Sequence, residues 1–128
     1  MKPNNHSEDR GLLYRRLIDA SSYSLAGLKR AWKEESIRVE VVLLIPLFPL
    51  GWWLGSGTTE KLLLVLSLVT VILVELLNTA IEIAIDRISD EEHPLSKDAK
   101  DVGSAAVLIA MLCVLLVWGS ILLPRYIG

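Results

Sequence analysis

Inside an apolar stretch long enough to cross a lipid bilayer, Leu62 to Ile85, the chain carries Glu75, Asn78 and Glu82. A carboxylate near a bilayer centre costs roughly 2.5–3.5 kcal/mol on insertion scales. Both glutamates therefore need compensation from a metal, a cation, a proton or a polar cavity. At about 100° per residue, positions 75, 78, 82 and 86 fall on one narrow face of a helix. Polar groups confined to one stripe, with apolar residues elsewhere, describe a site that faces protein or water rather than lipid.

The rest of the chain supports a membrane setting. Its 128 residues allow a single domain, 1–128, and 52% of them are apolar. The mean hydropathy is +0.48, above ordinary globular usage. Two further apolar runs flank the first. Residues 104–123 contain no charge, and residues 39–54 are shorter and include Glu40, Pro46 and Pro49. A helix of roughly 20 residues crosses a hydrocarbon core of about 30 Å, so we expect three transmembrane helices at 39–54, 62–85 and 104–123, with the prolines kinking the first. Residues 1–11 read as a polar tail with no apolar core, so no cleaved signal peptide is expected. The one cysteine, Cys113, excludes an internal disulfide and reads as a small packed hydrophobe.

Charge orients the spans. Lys2, Arg10, Arg15, Arg16, Lys29, Arg30, Lys33 and Arg38 precede the first, and Arg87, Lys97 and Lys100 lie between the second and third. Only Lys61 and Arg125 fall on the other side. That bias predicts a multi-pass protein with the N-terminus and the 86–103 connection in the cytoplasm and the C-terminus outside. Trp52 and Trp53 before Gly55-Ser56-Gly57 read as an aromatic belt and a tight outer turn, with Trp118 and Tyr126 as belt residues of the third span. In the region 12–38, Leu13, Leu17, Leu28 and Trp32 share an apolar helical face while Arg15, Arg16, Lys29 and Arg30 lie elsewhere, which suits a surface helix. Ser21, Ser22 and Ser24 mark an expected break in it. The expected fold is all-α: an amphipathic surface helix plus three spans.

The chemistry concentrates after the middle of span two. Carboxylates and an amide oxygen are hard ligands suited to Mg²⁺, which keeps waters and bridges phosphates. Lys100 is placed to meet phosphate charge, and a carboxylate near the membrane surface suits proton abstraction from a lipid hydroxyl. These are the parts of phosphoryl transfer. No GxxxxGK[ST] and no GxGxxG occurs, so a nucleotide site here has to be built from side chains of several helices.

The series Glu75-x-x-Asn78-Thr79-Ala80-Ile81-Glu82, Asp86-Arg87, His93-Pro94-Leu95 and Ala99-Lys100-Asp101-x-Gly103-Ser104-Ala105-Ala106, with Tyr23-Ser24-x-x-Gly27-Leu28 and Ala31-Trp32 earlier, closely resembles the prokaryotic diacylglycerol kinases over residues 12–123. The resemblance implies a homotrimeric membrane enzyme that transfers phosphate from ATP, with Mg²⁺, to the primary hydroxyl of diacylglycerol. It implies Glu75 as general base with Asn78 in support. Glu82 and Glu35 are implied as metal ligands, with Glu34 as the alternative to Glu35. It places Arg16, Tyr23, Glu35, Glu82, Glu91, Glu92, His93, Lys100 and Asp101 at the nucleotide, and Arg16, Trp32, Arg38, Glu40, Glu75 and Ser104 at the lipid. Bilayer lipid and further copies of the chain are the other expected partners, and nucleic acid is not. Val39 departs from the polar residue expected there, and the chain is one residue shorter between Trp32 and Glu40. An undecaprenol kinase has similar Glu-x-x-Asn and His-Pro-Leu features, and an oligomeric proton or cation channel also accounts for intramembrane carboxylates.

Overall fold

The computed structural model describes residues 5–128, with side chains from Arg10 onward. Five helices follow one another: α1 (Asn5–Ala31), α2 (Glu35–Leu44), α3 (Leu47–Leu54), α4 (Thr58–Ile88) and α5 (Pro94–Ile127). There is no strand among the described residues. The chain divides after Lys33 into two compact units, α1 in the first and α2 to α5 in the second.

Helix α1 runs unbroken through its serines, against the expected break. Ser21, Ser22 and Ser24 donate their hydroxyls to the carbonyls of Leu17, Asp19 and Ala20, each at 2.8 Å. This back-bonding satisfies the side chains within the helix, so they do not compete with its backbone. The helix also reaches back to Asn5, into the segment expected as a polar tail. Leu13, Leu17 and Leu28 remain exposed along it, as an apolar face meant for a membrane surface requires.

In the second unit, α2 and α3 together make a 20-residue apolar span, Glu35–Leu54. The kink falls at Pro46, which has no N–H to continue the ladder. The amide of Ile45 still bonds Val41 at 2.8 Å, and bonding resumes with Phe48 to Ile45 at 3.3 Å. Pro49 lies in the first turn of α3, where its missing N–H leaves nothing unpaired. The other two spans exceed the apolar runs that announce them. With 31 and 34 residues, α4 and α5 are about 46 and 51 Å long at 1.5 Å per residue. Their ends project beyond a core of about 30 Å. The connection expected over 86–103 shrinks to Ser89–His93 because the polar flanks are helical too.

Helix α4 is the centre of this unit and packs on α2, α3 and α5. Leu64, Leu68 and Val71 are completely or almost completely buried, and Glu75, Asn78 and Thr79 continue the same seam. At 100° per residue these six positions lie within about 100° of arc. Facing them, Gly103, Val107 and Ala110 are the buried residues of α5. Leu108, Ile109, Leu112, Leu115 and Leu116 point outward, an apolar surface suited to lipid. Cys113 also lies on the exposed surface rather than packed inside.

The ends of α3, α4 and α5 farthest from the polar stripe are tied together. Arg125 donates to the Leu54 carbonyl at 2.6 Å and pairs with Glu60 at 2.8 Å, while Glu60 also accepts from the Ser56 amide at 2.8 Å. Trp52 and Trp53 are exposed as belt residues should be, with the Lys61 ammonium 5.4 Å from the centre of the Trp52 ring. Trp118 behaves differently from the expected belt residue. Its indole donates to the Leu64 carbonyl and the Ser67 hydroxyl, both at 3.3 Å. Its ring packs against Gly51, where a Cβ would come within 3.1 Å of Cζ2 and 3.2 Å of the Leu64 Cβ. Gly51→Leu is therefore expected to lower stability by about 1–3 kcal/mol through overpacking, read as a lower thermal midpoint in detergent, with Gly57→Leu, in open space, as the control that stays near wild type.

Candidate active site

The polar half of the α4 seam is held from three sides. Glu75 and Asn78 are buried, at 5% and 7% exposure, Glu82 is half-buried and Asp86 is exposed. The stripe thus climbs from the protein interior to the water-facing end of α4. Helix α2 contributes Glu40, itself buried at 8% and an electrostatic neighbour of Glu75. Two carboxyl groups share that interior region. From α5, Gly103 abuts the Asn78 side chain so closely that a Cβ there would collide with Oδ1. The Asn78 amide donates to Glu82 Oε1 at 3.5 Å. Asn78 Oδ1, Glu40 Oε1 and Thr79 Oγ1 are buried without a hydrogen-bond partner. Buried polar groups are normally paired, so this cluster holds unused bonding capacity.

A cavity of about 770 Å³ opens at the water-facing end, between the end of α4, the Ser89–His93 connection and the first turns of α5. Its walls include Asp86, Glu91, Glu92, His93, Lys100 and Asp101. The cavity is mixed in charge. Lys100 donates to Asp86 at 2.7 Å across the two helices, and Lys97 pairs with Asp101 within α5. The Asp86 hydrogen bond holds the Lys100 ammonium above its ordinary pKa range, in a turn of α5 that projects beyond the apolar 104–123 run. Both pairs are exposed enough that solvent screens them, so an incoming anion can exchange for them at small cost. His93 is the N-cap of α5: its Nδ1 accepts from the Leu95 amide at 3.2 Å, with Pro94 opening the helix. With Nδ1 accepting, a neutral ring presents Nε2–H as a donor.

Of the residues singled out from sequence, the structure brings together two sets. Glu40, Glu75 and Asn78 are buried with half-buried Glu82 bonded to Asn78, and Glu91, Glu92, His93, Lys100 and Asp101 line the cavity. Glu35 is exposed in the first turn of α2, with Glu34 as the N-cap residue before it. Arg38 and Ser104 are exposed on α2 and α5, while Arg16 and Tyr23 are exposed on α1, in the other unit. Trp32 follows α1 and is exposed at 49%. Among the described residues, no three or more His, Cys, Asp or Glu side chains converge as a ready metal cluster. Sequence reasoning underrated Asp86 and Gly103. Asp86 pairs with Lys100 and not with its neighbour Arg87, a partner 14 residues away that helical spacing cannot disclose.

The cap yields a direct test of local structure. His93→Ala should cost about 0.5–2 kcal/mol of stability by freeing the Leu95 amide, whereas His93→Asn should retain most of it. Thermal midpoints of the two variants in detergent check this.

The sequence profile of the prokaryotic diacylglycerol kinases matches residues 22–122. A diacylglycerol kinase of Haemophilus influenzae is 48% identical over 107 residues, covering 83% of this chain and 91% of that protein. A diacylglycerol kinase of Pseudomonas aeruginosa is 40% identical over 124 residues, covering 96% and 99%. One of Escherichia coli K12 is 42% identical over 116 residues, covering 90% and 94%. The match runs through the α4 seam, the connection and the start of α5, which are the elements that build the cavity. The chain belongs to the prokaryotic diacylglycerol kinase family.

Proposed function

We propose that this protein is an ATP-dependent diacylglycerol kinase, making phosphatidic acid at the inner face of a bacterial plasma membrane. The observation that carries this reading is the stripe of buried Glu75 and Asn78 with half-buried Glu82 leading toward a water-facing cavity, in a chain whose relatives are named diacylglycerol kinases. We read residues 1–128 as one kinase domain that works as a homotrimer, with the exposed apolar faces of its spans meeting lipid and neighbouring copies. The cytoplasmic side is assigned to the N-terminus and the Ser89–His93 connection by the positive-inside rule.

The division of labour follows depth. Glu75 is the deepest carboxylate of the stripe, at the level where a lipid headgroup hydroxyl can enter. It takes the proton of the primary hydroxyl as the oxygen forms its bond to the γ-phosphorus and the bond from that phosphorus to the ADP oxygen breaks. Burial favours such a base by excluding competing water. Asn78 orients the stripe through its bond to Glu82. The cavity above it, with Lys100 and the His93 Nε2–H as donors, receives the nucleotide, and Lys100 exchanges Asp86 for phosphate. Glu91, Glu92 and Asp101 offer acceptors for the sugar and base. Arg16, Tyr23, Trp32, Arg38 and Ser104 are assigned to nucleotide and lipid contacts by position in the family pattern.

The donor set fits Mg²⁺: Glu82 and Glu35, or Glu34 in its place, are hard oxygen ligands, and phosphate oxygens and water can supply the rest. When bound, the ion neutralises charge on the phosphates during transfer.

The test is purified protein in mixed micelles with labelled MgATP, offered diacylglycerol and undecaprenol in parallel. Label in phosphatidic acid is expected. Label mainly in undecaprenyl phosphate changes the substrate, and nucleotide-independent ion flux in liposomes with no labelled lipid replaces the kinase by a channel. Glu75→Gln should lower kcat by at least about 100-fold, the usual scale of general-base loss, with the fold and its thermal midpoint retained; wild-type turnover would remove Glu75 from the role.

A further inference from the structure

Gly103 on α5 has no place yet in the chemistry, although it is buried and touches the site more intimately than any other glycine of the chain. A methyl group on it would overlap Asn78 Oδ1. That same oxygen is buried and has no hydrogen-bond partner. The other end of the amide, Nδ2, donates to Glu82 Oε1. The Asn78 side chain is thus lodged between two helices with its oxygen pressed to a glycine and its nitrogen turned up the α4 stripe.

An asparagine amide has two ends of nearly equal size and opposite bonding character. In a roomy site it would turn its buried oxygen toward any available donor. Here the oxygen occupies the volume that a side chain at position 103 would claim, and the atoms nearest that volume all belong to Asn78. The neighbouring buried residues of α5, Val107 and Ala110, lie one and two turns further on, so no other side chain of α5 can substitute for the missing one. We propose that Gly103 is a positioning residue: its bare backbone is the seat that fixes the Asn78 amide, and through it the Glu82 carboxylate, in the orientation the site uses. The inference rests on the kinase reading above, in which Asn78 and Glu82 belong to the phosphoryl-transfer machinery.

A steric seat acts on geometry and leaves the lipid-facing surface alone. Gly103→Ala should push Asn78 out of its slot, lengthen the contact with Glu82 and disturb metal use before it disturbs lipid binding. A misplacement on the order of 1 Å at such a site costs about 100-fold in rate. The test measures kcat, KM for diacylglycerol, the free Mg²⁺ concentration for half-maximal activity and the thermal midpoint. Four proteins are compared: wild type, Gly103→Ala, Asn78→Ser and the double variant. Serine is too short to reach the slot, so it removes the collision. The expected result is a loss of at least about 10-fold in kcat for Gly103→Ala, with a raised Mg²⁺ requirement and an unchanged lipid KM. In the Asn78→Ser background the same change should cost less than about 2-fold more, the signature of two residues acting as one. If Gly103→Ala alone fails to fold, the double variant should fold.

Unchanged kcat and Mg²⁺ dependence in Gly103→Ala overturn the proposal. So does an equal loss in both backgrounds, or a folding failure that Asn78→Ser does not relieve, since either makes Gly103 a plain packing contact between α4 and α5. A wild-type protein that phosphorylates no lipid in the same assay removes the kinase reading itself, an outcome distinct from all of these.

Discussion

Burying carboxylates in a membrane-spanning helix is the constraint on which the second unit is organised. Glu75 and Glu40 are nearly inaccessible, and neither can face lipid at acceptable cost. Helix α4 meets the demand by keeping Glu75 and Asn78 on the seam that also carries Leu64, Leu68 and Val71, while Thr70, exposed on another face, satisfies its hydroxyl on the Leu66 carbonyl. The same seam is therefore an ordinary helix-packing surface toward the Thr58 end and a polar surface toward the Ile88 end. Van der Waals packing of the apolar half, with the Trp118 and Arg125 ties, holds the helices in register so that the polar half is positioned rather than merely present.

Small residues make that packing possible. In lipid, apolar side chains gain little by leaving the solvent, so close backbone approach supplies much of the association energy. Gly51 admits Trp118, and Gly103 admits Asn78. The first contact is structural and the second lies inside the site, yet both arise from the same device. One end of the unit trades a Cβ for an indole, and the other trades a Cβ for an amide.

The proposed division of labour rests on a gradient of exposure along one helix face. Glu75 is buried, Glu82 half-buried and Asp86 open to water, so a lipid alcohol entering from the bilayer and a nucleotide entering from solution can meet between them. The cavity beside Asp86 and Lys100 carries both charge signs. Its exposed ion pairs are weak enough to be exchanged, and this suits a polyanion that must bind and leave at every turnover.

Hydropathy and periodicity by themselves determined the three spans, the kink in the first and the polar stripe, because a bilayer penalises gaps in the apolar run and stray charges within a span. The order of motifs from Glu75 to Ala106 was enough to recognise the family. Helix continuity through Ser21–Ser24 was not legible, since hydroxyls that break a helix at its cap also bond back within one. Trp118 looked like a belt residue because sequence cannot tell an indole at an interface from one donating across helices. Only tertiary structure paired Asp86 with Lys100, set Glu40 beside Glu75 and pressed Gly103 against Asn78. Those pairings join different helices. Which residues meet there depends on the distance and rotation of the packed helices, quantities that no spacing within a single helix contains.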